Sequence, residues 1–427
     1  MSRRRASNSE SLASSSVNEA VAYPFSGMQQ NHTFSQRRGP IEGPGGRRLV
    51  RRVTWRSSTY KLMASLWVLG VLYIVWLIRD IFYLPFSYSP KQAVTTNIGD
   101  DLLAQFVGRE ECGISSQVLY LPPSGDQSEL YCRSREDLLS SMSNGGRHGF
   151  GAPYTSQGCF YRWFTNAEIC ETLSRFDGVL FVGDDSLADA YAGFNILLRQ
   201  DLKQGSLREW EMSTPLQTSC GCESQFTNPA CSSARITSSE ELYSRSAMGT
   251  QTPYICSAKT PHKFLSITGS PATSSDHNVF KNLLARPSES ESAKKKPIAI
   301  IQSLSLSTSY SLSAAKNSID EWLTLAKTSA RSTPFLWIGP TAPGHQKPPS
   351  DNVHATSWKY TQDTAQVAQA KGIDVLAMYN ATLQAQSWDG MHYGEEVALM
   401  QAMMVRRTDE DPYSTRCIAY YTAYMSD

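Results

Sequence analysis

The chain has almost no net charge, and its acidic residues are scarce at one end. Its 40 lysines and arginines nearly balance 39 aspartates and glutamates, for a net charge of +1. This balance gives no support for nucleic acid or another polyanion as a partner. Residues 1–61 nevertheless hold eleven basic and only three acidic residues. A basic leader therefore precedes a mildly acidic body with 29 bases against 36 acids.

Long apolar runs are missing, with one exception. Residues 62–78 are 17 uncharged, mostly apolar residues, at the short end of the range for a membrane-spanning helix. The bases lie mainly before this run, so the positive-inside tendency predicts a single-pass type II protein anchored by residues 62–84. A buried core helix is the alternative. A cleaved signal peptide would begin near residue 1.

Aliphatic residues are also scarce in the first 50 positions. We therefore expect residues 1–61 to form a disordered, basic cytosolic tail, whose arginines either contact anionic lipid or only set the topology. A stem (85–111), a luminal domain (112–407) and a C-terminal extension (408–427) follow. Within the domain, residues 232–296 are poor in apolar residues and predict a loop insertion around a candidate strand at 263–267.

No cysteine precedes Cys112, which is the first of the nine in the chain. In a secretory lumen most would form disulfides, and the odd number leaves at least one unpaired or bonded to another chain. Cys112 and Cys132 bound a loop that a disulfide could close. The cluster of Cys220, Cys222, Cys231 and Cys256 lacks the spacing of a strong zinc site, so no metal is predicted.

Short apolar runs alternate with segments of helical periodicity between residues 178 and 406. The run at 178–183 is typical of a buried parallel strand that enters a turn. This alternation predicts an α/β fold, a parallel sheet covered by helices on both faces. Further strands are predicted at 298–301, 335–338 and 374–377, and helices at 187–198, 313–330, 356–371 and 395–406.

Ser186 lies in the turn between the first of these strands and the helix after it. Ligands of open α/β folds bind at this carboxyl edge of the sheet. A serine there can project its hydroxyl, and the free N–H groups of a helix start can stabilise an oxyanion. The alternative is that Ser186 is only an N-cap, with the preceding aspartates favouring the helix dipole.

Asp389 and His392 lie in a second turn, just before the last predicted helix. A carboxylate three residues before a histidine can bond one ring nitrogen, which leaves the other to accept a proton from serine. Gly390 permits the sharp turn between them. A structural histidine at a helix start is the alternative for this motif alone. Together the two turns predict a catalytic trio of Ser186, His392 and Asp389.

These two turns resemble known sequence blocks. Residues 181–187 (FVGDDSL) are similar to the first block of SGNH/GDSL hydrolases, and residues 389–392 (DGMH) to their last block. The segment from 158 to 183, with Cys159 and Cys170, resembles the PC-esterase branch of that superfamily. This branch includes trichome-birefringence-like polysaccharide O-acetyltransferases and the luminal domains of sialic-acid and capsule O-acetyltransferases.

The region from Cys112 to Cys132 resembles the N-terminal part of the same branch, and residues 335–348 resemble its fungal members. The resemblance covers about residues 112–407 and implies an SGNH-hydrolase-like three-layer sandwich. It also implies an acyl-enzyme on Ser186 whose acyl group passes to a glycan hydroxyl, as in an O-acetyltransferase, or to water, as in an acetylesterase.

The partners implied are a glycan or polysaccharide substrate, an acyl donor such as acetyl-CoA or an acetylated intermediate, and a multi-spanning membrane protein that supplies acetyl groups. No other cofactor is expected. The location implied is the Golgi or another secretory membrane, with the catalytic domain luminal. The second hypothesis is a catalytically weakened glycan-binding or scaffold subunit of a Golgi acetylation complex.

The chain also departs from the family pattern. The family motif is Gly-Asp-Ser, whereas here either Asp184 replaces the glycine or the turn is one residue longer. Plant members continue with Ser-Arg, but this chain has Ala188 and Asp189. We expect the oxyanion donors among Ser186, Leu187, Gln302 and Ser303. Two further residues are substrate-contact candidates with structural alternatives: Trp388, which could pack the turn, and His345, which could be an exposed loop residue.

Overall fold

In the computed structural model of the protein, the described residues are 58–83, 101–121, 131–246, 254–256, 259–285, 295–329, 331–345 and 352–405. The chain divides into two units, residues 1–93 and 94–427. Several predictions fall outside the described residues: the tail up to residue 57, most of the stem at 85–111, the C-terminal extension at 408–427, and Cys417.

The first unit contains helix α1 (Ser58–Tyr83), which confirms a helix at the predicted apolar run. The side chains of residues 61–76 in this helix are exposed. Within the part of the chain that the structure describes, no helix combines the length and the apolar character needed to cross a membrane. The anchoring of residues 62–84 in a membrane stays a prediction.

The second unit is built on a five-stranded parallel sheet with the order β4-β3-β5-β6-β7, which confirms the α/β class. All four strands predicted outright are present, and the candidate strand near 263–267 forms one edge of the sheet. A separate antiparallel pair joins β1 to β2. The strands are β1 (Gly146–Arg147), β2 (Tyr154–Thr155), β3 (Gly178–Gly183), β4 (His262–Ser266), β5 (Ile298–Gln302), β6 (Phe335–Ile338) and β7 (Asp374–Leu376).

Helices follow the strands, as the alternating pattern predicted, and the bounds differ from the prediction by a few residues. Two single 3₁₀ turns, Glu209–Glu211 and Leu306–Thr308, lie between them. The helices of the second unit are α2 (Arg109–Cys112), α3 (Ser116–Leu119), α4 (Arg135–Asn144), α5 (Asn166–Ser174), α6 (Asp185–Arg199), α7 (Thr214–Ser219), α8 (Ser224–Thr227), α9 (Pro229–Ser232), α10 (Ser239–Ser246), α11 (Ser274–Leu284), α12 (Leu312–Lys327), α13 (Val353–Gln369), α14 (Tyr379–Thr382) and α15 (Glu395–Val405).

Side chains on the two faces of the sheet belong to two separate cores. Because successive side chains of a strand point to opposite faces, Phe181 of β3 packs in a cluster with α5, α6 and α15. Its neighbours Leu180 and Val182 pack in the other cluster, with α11, α12 and α13. Every residue of β3 is buried, as expected for a central strand covered on both faces.

The segment at 232–296 differs from the loop insertion that its composition predicted. In its described part, α10 precedes the edge strand β4, and α11 follows it. The average composition hides a few well-placed apolar residues, which are buried in the two cores. These anchors are Ile236, Leu242, Leu265, Ile267, Phe280 and Leu284.

Eight of the nine cysteines form four disulfides, which confirms the prediction that most cysteines are paired. The suggested bond between Cys112 and Cys132 is not among them. Those two cysteines bond to other partners. The four cysteines that were considered as a zinc cluster are all in disulfides, and two of them, Cys220 and Cys231, bond to each other. In the described residues, no group of three or more His, Cys, Asp or Glu side chains could hold a metal ion. The bonds are Cys112–Cys222, Cys132–Cys159, Cys170–Cys256 and Cys220–Cys231.

Candidate active site

The turn between β3 and α6 is tightly packed. A Cβ added to Gly183 would press into the backbone carbonyl oxygen of Ser303 and lie 2.8 Å from Leu187 Cδ2, so only glycine fits at the end of β3. Asp184 is the N-cap residue of α6, with extended backbone. Asp185 and Ser186 are then the first two residues of the helix, and Asp185 is exposed.

Asp184 ties this turn to the loop after β5. Its Oδ2 accepts hydrogen bonds from the backbone N–H groups of Ser305 (2.7 Å) and Ser307 (3.2 Å), and the hydroxyls of both serines also donate to it. The Asp184 side chain is almost fully buried, at 3% exposure. Asp184 therefore links the turn after β3 to the loop after the adjacent strand β5.

Ser186 is half-buried and lines a small cavity. Among the described contacts, the backbone N–H groups of Asp185 and Ser186 donate no hydrogen bond, as expected in the first turn of a helix. The N–H of Leu187 instead donates to the Asp184 carbonyl oxygen at 3.0 Å. Of the two oxyanion candidates in this turn, Ser186 therefore has an available N–H and Leu187 does not.

The Asp389–His392 pair has the predicted geometry. Asp389 Oδ2 lies 2.7 Å from His392 Nδ1, and Asp389 Oδ1 accepts from the backbone N–H groups of Met391 and His392. Gly390 has φ of +96°, in the region that favours glycine. Partial burial acts to raise the pKa of Asp389, but these hydrogen bonds outweigh it and hold the pKa below its ordinary value.

Neighbouring chain segments hold this turn in place. The Ser387 hydroxyl donates to the His392 carbonyl oxygen and accepts from the Gly390 N–H. Gly344, in the loop after β6, donates its N–H to the Gly390 carbonyl oxygen at 2.8 Å. A Cβ at Gly344 would lie 2.9 Å from Ser387 Oγ. The turn that carries His392 is thus packed directly against the β6 loop.

Ser186 and His392 line the same cavity, together with Asp189, Thr341, Met391 and Tyr393. The two turns, about two hundred residues apart in sequence, therefore converge as the trio requires. The Ser186 hydroxyl and His392 are not joined by a hydrogen bond in the described contacts. Catalytic hydrogen bonds are often long in ligand-free sites and tighten when substrate binds.

Gln302 and Ser303, two of the predicted oxyanion donors, bond to groups outside the cavity. The Gln302 side chain donates to Ser318 Oγ of α12 at 3.0 Å, because alternation along β5 turns it toward the α12 layer. The Ser303 N–H donates to the Val182 carbonyl oxygen, because strand pairing continues one residue past β5. Both residues are buried, and neither lines the cavity. These contacts give no support to the two residues as oxyanion donors, and that assignment stays a prediction.

The two substrate-contact candidates contact different rings. The Trp388 ring is stacked on the His392 imidazole, with centroids 5.9 Å apart and planes at 25°. The structure thus gives Trp388 a packing role, and a sugar contact stays a prediction. His345 is exposed and stacks on His354, with centroids 4.8 Å apart.

Sequence reasoning missed an ion pair at the cavity. Asp189, which lines the cavity, accepts from Arg235 at 2.8 Å. Burial raises the pKa of Asp189, while Arg235 and His392 act to lower it. Arg235 brings a basic residue to this part of the site, where the chain has Ala188 and Asp189 after the nucleophile turn. Helical spacing places Asp189 near Ser186, but no sequence signal connects Arg235 to it.

A buried carboxyl group lies just beyond the His392 turn. Glu395 is fully buried, and both side-chain oxygens lack a hydrogen-bond partner among the described residues. Its backbone N–H donates to Glu223 Oε2. Burial raises the pKa of Glu395 well above its ordinary value, and Glu223, Glu396 and Asp201 raise it further.

This group makes stability depend on pH. The pKa of Glu395 is higher in the folded state than in the unfolded state, so protonation of Glu395 favours folding. This stabilisation is fully present below the pKa that Glu395 has in the unfolded state. It is lost as pH rises through the folded pKa. We expect Glu395→Gln to stabilise the protein by about 1–3 kcal/mol at slightly alkaline pH and to change it little in acid. Melting temperatures across this range measure the effect, with Glu110→Gln, at an exposed glutamate of α2, as the control. Equal pH slopes for wild type and Glu395→Gln would contradict it.

No protein-family model matches the chain, and no curated protein matches it either.

Proposed function

We propose that this protein transfers or hydrolyses acyl esters of glycans through Ser186, His392 and Asp389. The observation that carries this proposal is the hydrogen-bonded Asp389–His392 pair on the wall of the cavity that Ser186 also lines. The SGNH-like assignment of the fold belongs to the proposal. Its support is the parallel sheet, with the serine after the interior strand β3 and the histidine just before α15.

In the first half-reaction, Ser186 Oγ attacks the acyl carbonyl carbon while its proton moves to His392 Nε2. Asp389 accepts from Nδ1–H, fixes the tautomer and stabilises the imidazolium. The carbonyl oxygen becomes an oxyanion that the N–H groups of Asp185 and Ser186 can stabilise. The bond to the leaving group then breaks, the leaving oxygen takes the proton from His392, and an acyl-enzyme remains.

In the second half-reaction, an acceptor hydroxyl loses its proton to His392 and attacks the acyl-enzyme. A glycan hydroxyl as the acceptor gives a new ester, and water gives a free acid. In both cases the Ser186 oxygen recovers its proton and the site is regenerated. The resemblance of the two turns to blocks of O-acetyltransferases favours acetyl as the acyl group.

The four disulfides support a secretory location for the domain. The basic residues before the apolar run at 62–78 favour a type II orientation, with the Golgi as the proposed membrane. A single spanning helix cannot carry acetyl groups across a membrane. A cytosolic acetyl donor would therefore need a multi-spanning partner.

A second candidate function is a glycan-binding or scaffold subunit with a weakened site. The commitment of Gln302 and Ser303 to other partners favours it, because loss of one oxyanion donor typically costs about two to three powers of ten in rate.

Covalent labelling separates the two functions. A fluorophosphonate should label the wild-type protein on Ser186, and Ser186→Ala should lose the label together with roughly a thousandfold or more of its acetate release from acetylated polysaccharide. Ser313→Ala, at an exposed serine on α12, is the matched control and should keep both. Adding an unacetylated glycan and following acetate by mass then distinguishes a transferase from an esterase. Label and turnover that survive Ser186→Ala would refute the mechanism.

A further inference from the structure

Five rings lie in a continuous row beside the candidate site, and we call this set the ring row. Phe150 meets His345 edge-to-face, with centroids 5.7 Å apart, and His345 stacks on His354. His354 Nδ1 lies 3.4 Å from the Tyr379 hydroxyl. Trp358 then packs against Tyr379, with centroids 5.0 Å apart.

The two ends of the ring row are open to solvent. Phe150 is 59% exposed and Trp358 is 41% exposed. In the described part of residues 101–405, these are the exposed large aromatic side chains, and both belong to the row. Scattered exposed apolar residues are normal on any protein surface, but an exposed aromatic cluster marks an interaction site.

The ring row is attached to the chain segments that build the candidate site. The loop after β6 carries both Thr341, which lines the cavity, and His345. The loop of Phe150 is tied to Gln384, just before the His392 turn. The side-chain oxygen of Gln384 accepts from the Gly149 N–H at 2.9 Å, and the backbone carbonyl oxygen of Gln384 accepts from the Gly151 N–H. A chain lying on the row would therefore be held close to the cavity.

The chemistry of the ring row selects its ligand. Aromatic faces match the apolar C–H faces of sugar rings, and an exposed imidazole such as that of His345 can bond sugar hydroxyls. None of the five residues is an acid, a lysine or an arginine. Burial and the neighbouring His345 lower the pKa of His354, which favours its uncharged form. These features match an uncharged ligand better than an anionic one.

We propose that the ring row is a glycan-binding track, which holds an extended, uncharged polysaccharide segment and leads it to the cavity of Ser186. This inference rests on the proposed function, because it names the substrate class of that same site. Phe150 and Trp358 supply the stacking surfaces at the two ends. His345, which is exposed, supplies a polar group between them.

Binding can be tested separately from chemistry. We would use full-length protein with Ser186→Ala, so that no turnover occurs, and titrate it calorimetrically with xylohexaose, mannohexaose and cellohexaose. At least one of these uncharged probes should bind. Phe150→Ala and Trp358→Ala should each weaken that binding about threefold to tenfold, whereas Trp358→Phe should retain most of it. Leu312→Ala, which removes an exposed apolar side chain on α12, should bind as the parent does.

Three results would overturn the track: no binding of any uncharged probe, Ala variants that bind like Leu312→Ala, or tighter binding of a hexagalacturonate than of every uncharged probe. Melting temperatures separate lost stacking from lost folding, and Trp358→Phe tests the ring itself. If the ring row does not bind glycans but Ser186 is still labelled, the glycan-binding track is refuted and the proposed acyl chemistry is not affected. Binding on the row without labelling would instead remove the chemistry and favour the scaffold function.

Discussion

Replacement of Asp389 by asparagine is expected to lower kcat for ester hydrolysis by about 10³- to 10⁴-fold while the protein stays folded. An asparagine oxygen can still accept the backbone N–H groups of Met391 and His392, as Asp389 Oδ1 does. Its amide, however, would donate to His392 Nδ1, so that the proton of the neutral ring would reside on Nε2. The imidazole could then no longer accept the Ser186 proton.

The measurement is kcat on an acetylated substrate, with melting temperature as the check on folding. Asp363→Asn, at a surface pair with Lys359, is the control for loss of a carboxylate and should leave kcat unchanged. Because hydrogen bonds hold the pKa of Asp389 below its ordinary value of 3.8, its charge should be lost only in strong acid. An Asp389→Asn protein with more than about a tenth of wild-type kcat would be incompatible with the trio.

Gly193→Ala is expected to cost about 3 kcal/mol of stability and most of the activity. Gly193 lies in α6 against the backbone of α15, and an added Cβ would be 2.6 Å from the Ala398 carbonyl carbon and 3.0 Å from Leu399 N. Because the obstacle is backbone, no side-chain rotation relieves it and the two helices must separate. The gain in helix propensity, about 1 kcal/mol, is smaller than this penalty.

The same change should affect catalysis because α6 begins next to Ser186 and α15 begins soon after His392. A displacement of about 1 Å between reacting groups can cost roughly a hundredfold in rate. Chemical denaturation and kcat would be measured together. Gly269→Ala, where the added Cβ meets nothing within 4 Å, should change neither. Wild-type stability in Gly193→Ala would show that the backbones of the two helices are not in close contact at this point.

The sequence predicted the sheet well because its central strands are buried on both faces. An unbroken apolar run as short as residues 178–183, bounded by glycines, strongly favours a buried strand. The turn of Asp389 and His392 was also predictable, because its carboxylate, glycine and imidazole interact within four residues. Gly390 with positive φ and the 2.7 Å hydrogen bond both agree with that prediction.

Features that depend on distant contacts were not predictable. The direction of the Gln302 side chain depends on which layer its strand face meets, and its partner Ser318 lies on α12. Arg235 reaches Asp189 from 46 residues away in the sequence, in a segment whose average composition suggested loops. Average composition does not report where single apolar anchors such as Phe280 lie.

The disulfide connectivity has a consequence for how this protein can be produced. Cys112 emerges from the ribosome well before its partner Cys222, and four other cysteines are synthesised between them. The bond from Cys170 to Cys256 crosses that interval. Oxidation in order of synthesis would join Cys112 to Cys132 and trap a wrong isomer. Correct pairing then requires thiol–disulfide exchange, so yield should rise in hosts with an active disulfide isomerase.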